Sequence, residues 1–405
     1  DTWDAEVDEL VFEPGGTNIE EGQSIILNNH GFFGYFDGMK RLAYEVNVTR
    51  PEDFYGTTGL TTVSTKGNVD QFTTENYMDL VDAPIMYNVP DTLTFNIGGA
   101  EILISVYSKN KAATAEELGM DIKKILELQS EYLGGKLPIE KYAFLIYLYE
   151  GQSRSGGSGA LEHSYSSFYY LPEMTAEQLS GFVVNVAAHE FFHIVTPLNI
   201  HSEEIGDFDY INPKMSKHLW MYEGVTEYFA GHVQVYGGMQ TGEDYLEVIK
   251  DKLSGAKRFK DDLSFTEMSL GCLEVHKDQY GNGYQKGALI GLCLDIILRD
   301  NSKGKMGLKD MMDMLSKEYG KNKSFKDEAL FDKIAALSSP EVRDFFKDYV
   351  EGSKPLPLDD LLGRVGITFK QDVKMQEITL GGIGLSYNPK TKHLVVASIG
   401  EMNAF

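Results

Sequence analysis

Cysteine is nearly missing from this chain: Cys272 and Cys293 are the only two in 405 residues. Two are too few for a disulfide framework, and without a Cys-x-x-Cys spacing they offer neither a thiolate metal site nor a redox pair. Positive charge is scarce as well, with 37 basic against 61 acidic side chains and a formal charge of −24. So acidic a chain argues against nucleic acid and anionic membrane surfaces as partners, since both are met through basic patches. No apolar run approaches the roughly 18 residues of a membrane span, and no signal peptide is evident. The sequence opens at Asp1 without a methionine. The expected compartment is therefore the periplasm or another exported setting if a targeting segment was removed, and the cytoplasm otherwise. Apolar residues at 42% and charged residues at 24% are ordinary for a globular protein, and the length allows two or three domains with a sizeable core. No feature assigns an oligomeric state.

Against this plain background one stretch carries chemistry. It reads His189-Glu190-Phe191-Phe192-His193 and resumes at Trp220-Met221-Tyr222-Glu223-Gly224-Val225-Thr226-Glu227-Tyr228. Thr175 with Gln178 forms a capping-box signature, and Leu179, Phe182, Val183 and Val186 recur at helical spacing, so His189 and His193 fall one turn apart on a helix. Two imidazoles on one face can share a zinc ion at roughly 2.0 to 2.1 Å. Glu190, one position round from the first ligand, stands where a general base for water belongs. Catalytic zinc commonly takes two His and one Glu and keeps a position open. Glu223 is the candidate third ligand, because the stripe Val225, Phe229, Val233 places Glu223 and Glu227 together on another side of a second helix. Glu227 is then free to accept the outer N–H of a ligating histidine, which fixes the tautomer. One zinc ion per chain is expected. The bland alternative is a set of helix-surface charges with two incidental histidines.

The chain around this stretch divides by composition. Residues 1–112 alternate short β-favouring runs with turn residues, among them Gln23–Leu27, Leu42–Val48, Thr61–Ser64, Leu93–Ile97 and Glu101–Val106, and read as an antiparallel β domain. Phe32, Phe33, Tyr35 and Phe36 could line a groove, although core packing is the commoner use. From 113 to 353 helical patterns dominate. Thr114 with Glu117 caps a helix to about Tyr132, Tyr142–Tyr149 is an apolar run of strand length, and Gly151–Gly159 is a Gly/Ser-rich loop without the Gly-Lys-Ser/Thr ending of a phosphate cradle. The connection 198–218 holds His201 and His218, either a spare ligand, with surface or supporting roles preferred. Further helices are expected over 281–299, 306–319 and 341–350, the last with Ser339 and Pro340 at its start. Residues 354–405 return to strands at Gly366–Phe369, Gly384–Tyr387 and His393–Ser398, too few to bury a core alone.

Taken together, these motifs resemble the glycyl aminopeptidases, gluzincin metallopeptidases with a C-terminal PDZ domain, and more distantly aminopeptidase N and thermolysin. The resemblance runs from about residue 40 and implies an α+β multidomain fold: an N-terminal antiparallel β domain, a thermolysin-like, mainly helical zinc peptidase domain, and the start of a PDZ-like domain. It implies that His189, His193 and Glu223 bind zinc, that Glu190 is the base, and that Glu227 supports a ligand. Gly159-Ala160-Leu161-Glu162-His163 is similar to the Gly-x-Met-Glu-Asn motif of aminopeptidase N, so Gly159, Ala160 and Glu162 would bind substrate, Glu162 gripping its free α-amine. Gly283-Tyr284-Gln285-Lys286-Gly287 resembles a segment whose Tyr hydroxyl donates to the oxyanion, which favours Tyr284 over its competitor Tyr280. Gly382-Ile383-Gly384-Leu385 resembles a PDZ carboxylate-binding loop. Where relatives have a Trp and a Lys-Arg pair after the zinc helix, this chain has Ile194-Val195-Thr196-Pro197-Leu198-Asn199. The implied activity is removal of N-terminal residues, small ones such as Gly or Ala, from peptides with a free N-terminus. The rival readings are a thermolysin-like endopeptidase and a non-catalytic peptide-binding scaffold.

Overall fold

The computed structural model describes residues 13–151, 153, 157–370, 381–388 and 390–403. It divides into a unit spanning Asp1–Pro357 and a second spanning Leu358–Phe405.

In the first unit the organising layer is a five-stranded sheet in the order Gly159–His163, Ser166–Pro172, Lys141–Tyr149, Ala100–Ser108, Thr92–Ile97. Its middle strand Lys141–Tyr149 is parallel to both neighbours, and the outer pairs are antiparallel. A strand buried on both faces has no polar side to show, which is why Tyr142–Leu148 reads as an unbroken apolar run. Alternate side chains separate onto two faces. Tyr142, Phe144, Ile146 and Leu148 pack with Leu118, Ile122 and Leu126 of the helix Ala115–Tyr132, and with Leu179, Val183, Ala187 and Phe191 of the helix Ala176–Phe192. Ala143, Leu145 and Tyr147 face the other way, against Ile26 and Met86. Those two residues belong to an antiparallel four-stranded sheet, Asn18–Glu20, Ser24–Leu27, Ile85–Asn88 and Tyr55–Thr58. A three-stranded antiparallel sheet of Tyr44–Thr49, Val69–Thr74 and Thr61–Lys66 completes the β layers.

Antiparallel strands at the N-terminal end and helices beyond agree with the expected α+β class. The strands Thr92–Ile97 and Ala100–Ser108 lie ahead of residue 113, yet they sit in the same sheet as Gly159–His163, because hydrogen bonding follows register rather than composition. Both anticipated capping boxes form, at Thr114/Glu117 and Thr175/Gln178. The aromatic cluster near residue 34 splits: Phe33 packs on the core of Val46, Phe54 and Phe72, and Tyr35 against the Tyr77 ring at 4.7 Å, while Phe36 is 82% and Phe32 49% exposed. Within the Gly/Ser-rich loop, residues 152 and 154–156 lie outside the described ones.

The second unit holds a short helix, Leu358–Arg364, and an antiparallel hairpin of Gly381–Asn388 with His393–Asn403. Gly366–Phe369 is not the expected strand. Gly366 adopts φ +81° while the Ile367 N–H returns to the Leu362 carbonyl, so this segment terminates the helix. Gly382–Leu385 lies within a hairpin strand rather than in a carboxylate-binding loop. The PDZ-like assignment therefore gains no support among the described residues. No helix among them is long and apolar enough to cross a membrane.

Candidate active site

The helix Ala176–Phe192 delivers the first residues of the site. It lies on the sheet through Leu179, Val183, Ala187 and Phe191, and the Gln129 side-chain amide donates to the Ala188 carbonyl at 2.8 Å, pinning the end that carries His189. His193 caps this helix in right-handed geometry, still one turn beyond His189. Glu223 comes from a turn of π-helix, Trp220–Val225, that runs into the α-helix Thr226–Tyr236. The wider turn is one of the irregularities that recur at functional sites. It presses against the helix Asn282–Ser302 where two glycines meet: a Cβ on Gly224 would stand 2.4 Å from the Gly287 carbonyl carbon. That approach brings Glu223 and Tyr284 to the same place. The edge strand Gly159–His163 supplies Glu162, opposite Ser167 in its neighbour.

One donor atom each from His189, His193 and Glu223 lies within 4.8 Å of the others, and all three residues are buried. Glu223 Oε2 stands 3.2 Å from His189 Nε2 and 3.8 Å from His193 Nε2. Each imidazole uses its other nitrogen elsewhere: His189 Nδ1 donates to Glu227 Oε2 at 2.7 Å, and His193 Nδ1 to the Thr196 carbonyl at 3.0 Å. This assigns the Nδ1 protons and turns both Nε2 atoms inward, toward Glu223; burial opposes charge on His189, but Glu223 and Glu227 hold its imidazole well above the usual range. His193 Nε2 is buried with no hydrogen-bond partner, a costly state for a polar atom unless a ligand completes it. Glu162, Glu190 and His193 form a second such grouping within 4.8 Å, so the candidate base and amine anchor adjoin the same imidazole.

Four carboxylates, Glu162, Glu190, Glu223 and Glu227, crowd this space. Burial, together with Glu223 and Glu227, pushes the Glu190 carboxyl up to about 7, with His189 opposing. Burial also holds Glu162 well above the usual carboxylate range, reinforced by Glu223 and Glu190. Burial drives the His193 imidazole down to about 4, which leaves it neutral. Glu227 behaves differently: burial would raise it, but the His189 and Lys252 contacts prevail and hold it at about 2. Lys252, 2.6 Å from Glu227 Oε1, is the cation that balances it. Excess buried negative charge beside two inward ring nitrogens, one of them without a partner, is what a divalent cation neutralises, so His189, His193 and Glu223 fit a metal.

Tyr284 lies with its ring 5.5 Å from that of His189, and its hydroxyl is held well above the usual range by burial and nearby carboxylates. Tyr280 is occupied, donating to Glu223 Oε1 at 3.0 Å. Gly159 and Ala160 lie along the same edge strand as Glu162. His201 and His218 are neither spare ligands nor surface groups. His201 Nδ1 binds the Pro197 carbonyl, while His218 bridges the Asp327 carbonyl and the Trp220 indole, both inside the fold. Sequence reasoning missed Lys252, whose ammonium also donates to the Tyr284 carbonyl at 3.2 Å. Among the ordinary charges of the helix Gly242–Ala256, nothing sets Lys252 apart until the fold places Glu227 beside it.

Comparison with known proteins agrees with this layout. No curated protein matches the sequence. A crystal structure of an aminopeptidase N family protein from Idiomarina loihiensis superposes with a TM-score of 0.79 at 22% identity, over 95% of this chain and 70% of that one. An M1 zinc metallopeptidase from Deinococcus radiodurans gives 0.57 at 14% identity, over 87% and 74%. A mutant of that enzyme bound to a Tyr-Ser-Ala substrate gives 0.56 at 15%, over 86% and 74%. At such identities the likeness is one of fold. Sequence models go further: the M61 peptidase N-terminal domain matches residues 1–88 and the M61 glycyl aminopeptidase domain matches residues 183–290, which spans His189 to Tyr284. Both matches are to models of the M61 peptidases, the family that the motifs of this chain resemble.

Proposed function

We propose that this chain is a zinc-dependent aminopeptidase of the gluzincin type. The observation that carries the reading is the convergence of Glu162 and Glu190 on the imidazole that completes the His189, His193 and Glu223 grouping. The three ligands would hold one zinc ion, which supplies a Lewis acid for the scissile carbonyl and makes water a better nucleophile. Glu190, buried and tuned to about 7, takes a proton from the attacking water and passes it to the leaving amine. Tyr284 donates to the oxygen that gains charge, while Tyr280 steadies the ligand Glu223. Glu162 pairs with the substrate's ammonium, which leaves the first peptide bond over the metal site. The strand Gly159–His163 is an edge of its sheet, the kind of position where an extended peptide can add as a further strand.

Small first residues such as Gly or Ala follow from the family likeness. The test is substrate Nα-acetylation. Free-amine peptides are expected to be cleaved at least 100-fold faster, about the value of a lost buried ion pair. Equal rates would favour a thermolysin-like endopeptidase, with Glu162 structural. Folded protein without stoichiometric zinc would favour a non-catalytic scaffold.

A further inference from the structure

Hydrolysis gives the first residue something it lacked in the peptide, a carboxylate of its own. That charge forms in a space already crowded by Glu162, Glu190 and Glu223. The rest of the peptide lies beyond the cut bond, so the freed amino acid is left at the inner end of the site. A cavity of about 260 Å³ opens beside Glu162, and Lys321 is the one lysine or arginine among its described lining residues. We infer, given the aminopeptidase reading proposed above, that Lys321 and Asp79 bind the freed amino acid as a zwitterion, its carboxylate on the lysine and its ammonium on the aspartate.

Asp79, Ser164, Tyr165 and Lys321 line this cavity and also a second one of about 770 Å³. Thr61, Thr62, Glu75, Glu101 and Glu140 on the wall of the second cavity are all exposed, so it reaches solvent. The pair thus stands between the space beside Glu162 and open water, and a small molecule held there can leave without passing the remaining peptide. Asp79 belongs to the short helix Tyr77–Val81 and accepts from Asn76 Nδ2 at 3.1 Å. Lys321 comes from the turn Gly320–Lys323, where its backbone N–H donates to Asn199 Oδ1 at 3.3 Å. Its ammonium approaches Asp79 Oδ2 only to 3.9 Å, an attraction without a hydrogen bond. Burial raises the Asp79 carboxyl despite this neighbour, so its charge is incompletely met. On Lys321 burial works against the charge, but Asp79 and Tyr165 prevail and hold the ammonium above its ordinary range. The Tyr165 ring lies 5.1 Å beneath it. Donors on one side chain and an acceptor on the other are what a molecule carrying both charges completes. An intact peptide has no carboxylate at its first residue, so the pair separates product from substrate. Glycine and alanine suit it, because recognition needs the two charges and no side-chain pocket.

The experiment uses the zinc-loaded full chain carrying E190Q, so that amides bind without being cut. Calorimetric titration compares glycine with glycinamide, which keeps the ammonium but lacks the carboxylate, and with N-acetylglycine, which keeps the carboxylate but lacks the ammonium. Glycine is expected to bind at least tenfold tighter than either. The metal is present throughout, so a change in the glycine-to-glycinamide ratio on mutating Lys321 reports the lysine. K321M, on a side chain 44% exposed, should shrink that ratio at least fivefold, and K321R should keep most of it. D79N should shrink the glycine advantage over N-acetylglycine to a similar extent. A glycine-to-glycinamide ratio that folded K321M leaves unchanged seats the carboxylate on the metal and overturns the assignment. N-acetylglycine binding as tightly as glycine overturns it too. Neither result touches the aminopeptidase reading, which fails instead if the chain with Glu190 intact cleaves Nα-acetyl peptides as fast as free ones; no free amino acid is then made, and the product site falls with it.

Discussion

Replacing Lys252 by Met tests whether the fold orders the metal ligands from two layers out. The Lys252 ammonium, 13% exposed, lies 2.6 Å from Glu227 Oε1, and Glu227 Oε2 in turn receives Nδ1–H of His189. Met preserves volume and stem but strips Glu227 of its counter-ion, leaving a largely buried carboxylate supported only by the imidazole. A charge-assisted hydrogen bond of this kind contributes about 2 kcal/mol, and a fully buried pair would lose more. Groups that orient a metal-bound histidine directly account for about 10- to 100-fold in metal affinity. Lys252 acts through Glu227, so a loss of about tenfold in zinc affinity, at the low end of that range, is expected for K252M. Competition with a chromogenic chelator measures it without reference to any substrate. K252R should recover most of the affinity, since a guanidinium can still reach the carboxylate. If folded K252M binds zinc as tightly as the parent, the ion pair does not transmit order to His189, and the reasoning fails.

Further outcomes follow from the same geometry. E190Q should retain zinc by metal analysis while kcat falls by about 10²- to 10⁴-fold, the usual share of a placed base; a normal kcat would remove Glu190 from its role. Y284F should lower kcat by about 10²- to 10³-fold with KM little changed, as loss of one oxyanion donor does, and Y280F should instead weaken zinc. Gly224→Ala would drive a methyl to 2.4 Å from the Gly287 carbonyl carbon, costing about 1–3 kcal/mol or more in a denaturant melt and lowering zinc affinity as Glu223 is displaced. Burial brings the Lys141 ammonium down to about 8. The unfolded chain then holds this proton more tightly than the folded one, so the penalty is full below pH 8 and fades between about pH 8 and 10.5. Parent stability should therefore gain on K141M across that window, and an unchanged difference would contradict the burial.

The candidate metal-ligand grouping was legible because much of it is written in local spacing. His189 and His193 one turn apart, and Glu223 with Glu227 one turn apart, share faces on any helix that forms, and the capping box at Thr175 makes the first helix start where it must. The continuous apolar run Tyr142–Leu148 likewise announced a strand covered on both sides. The C-terminal strands were less legible. Gly366 ends a helix instead of opening a strand, because Ile367 finds its acceptor at Leu362, and a short Gly-rich segment is compatible with either.

The sequence by itself determined that His189 and His193 share one helix face with Glu190 beside them, and that Glu223 and Glu227 share another, since helical periodicity sets those faces before any tertiary contact exists; the meeting of Glu223 with the two histidines needs the fold. Only the folded chain decided that Tyr280 is committed to Glu223 while Tyr284 stays over His189, that Lys252 supports Glu227, and that Asp79 and His163 reach a cavity beside Glu162. The first three are meetings between residues 25 to 95 positions apart, from Lys252 with Glu227 to Tyr284 with His189. Such contacts depend on how helices cross at Gly224 and Gly287 and how sheets stack, and no short-range pattern in a chain records them.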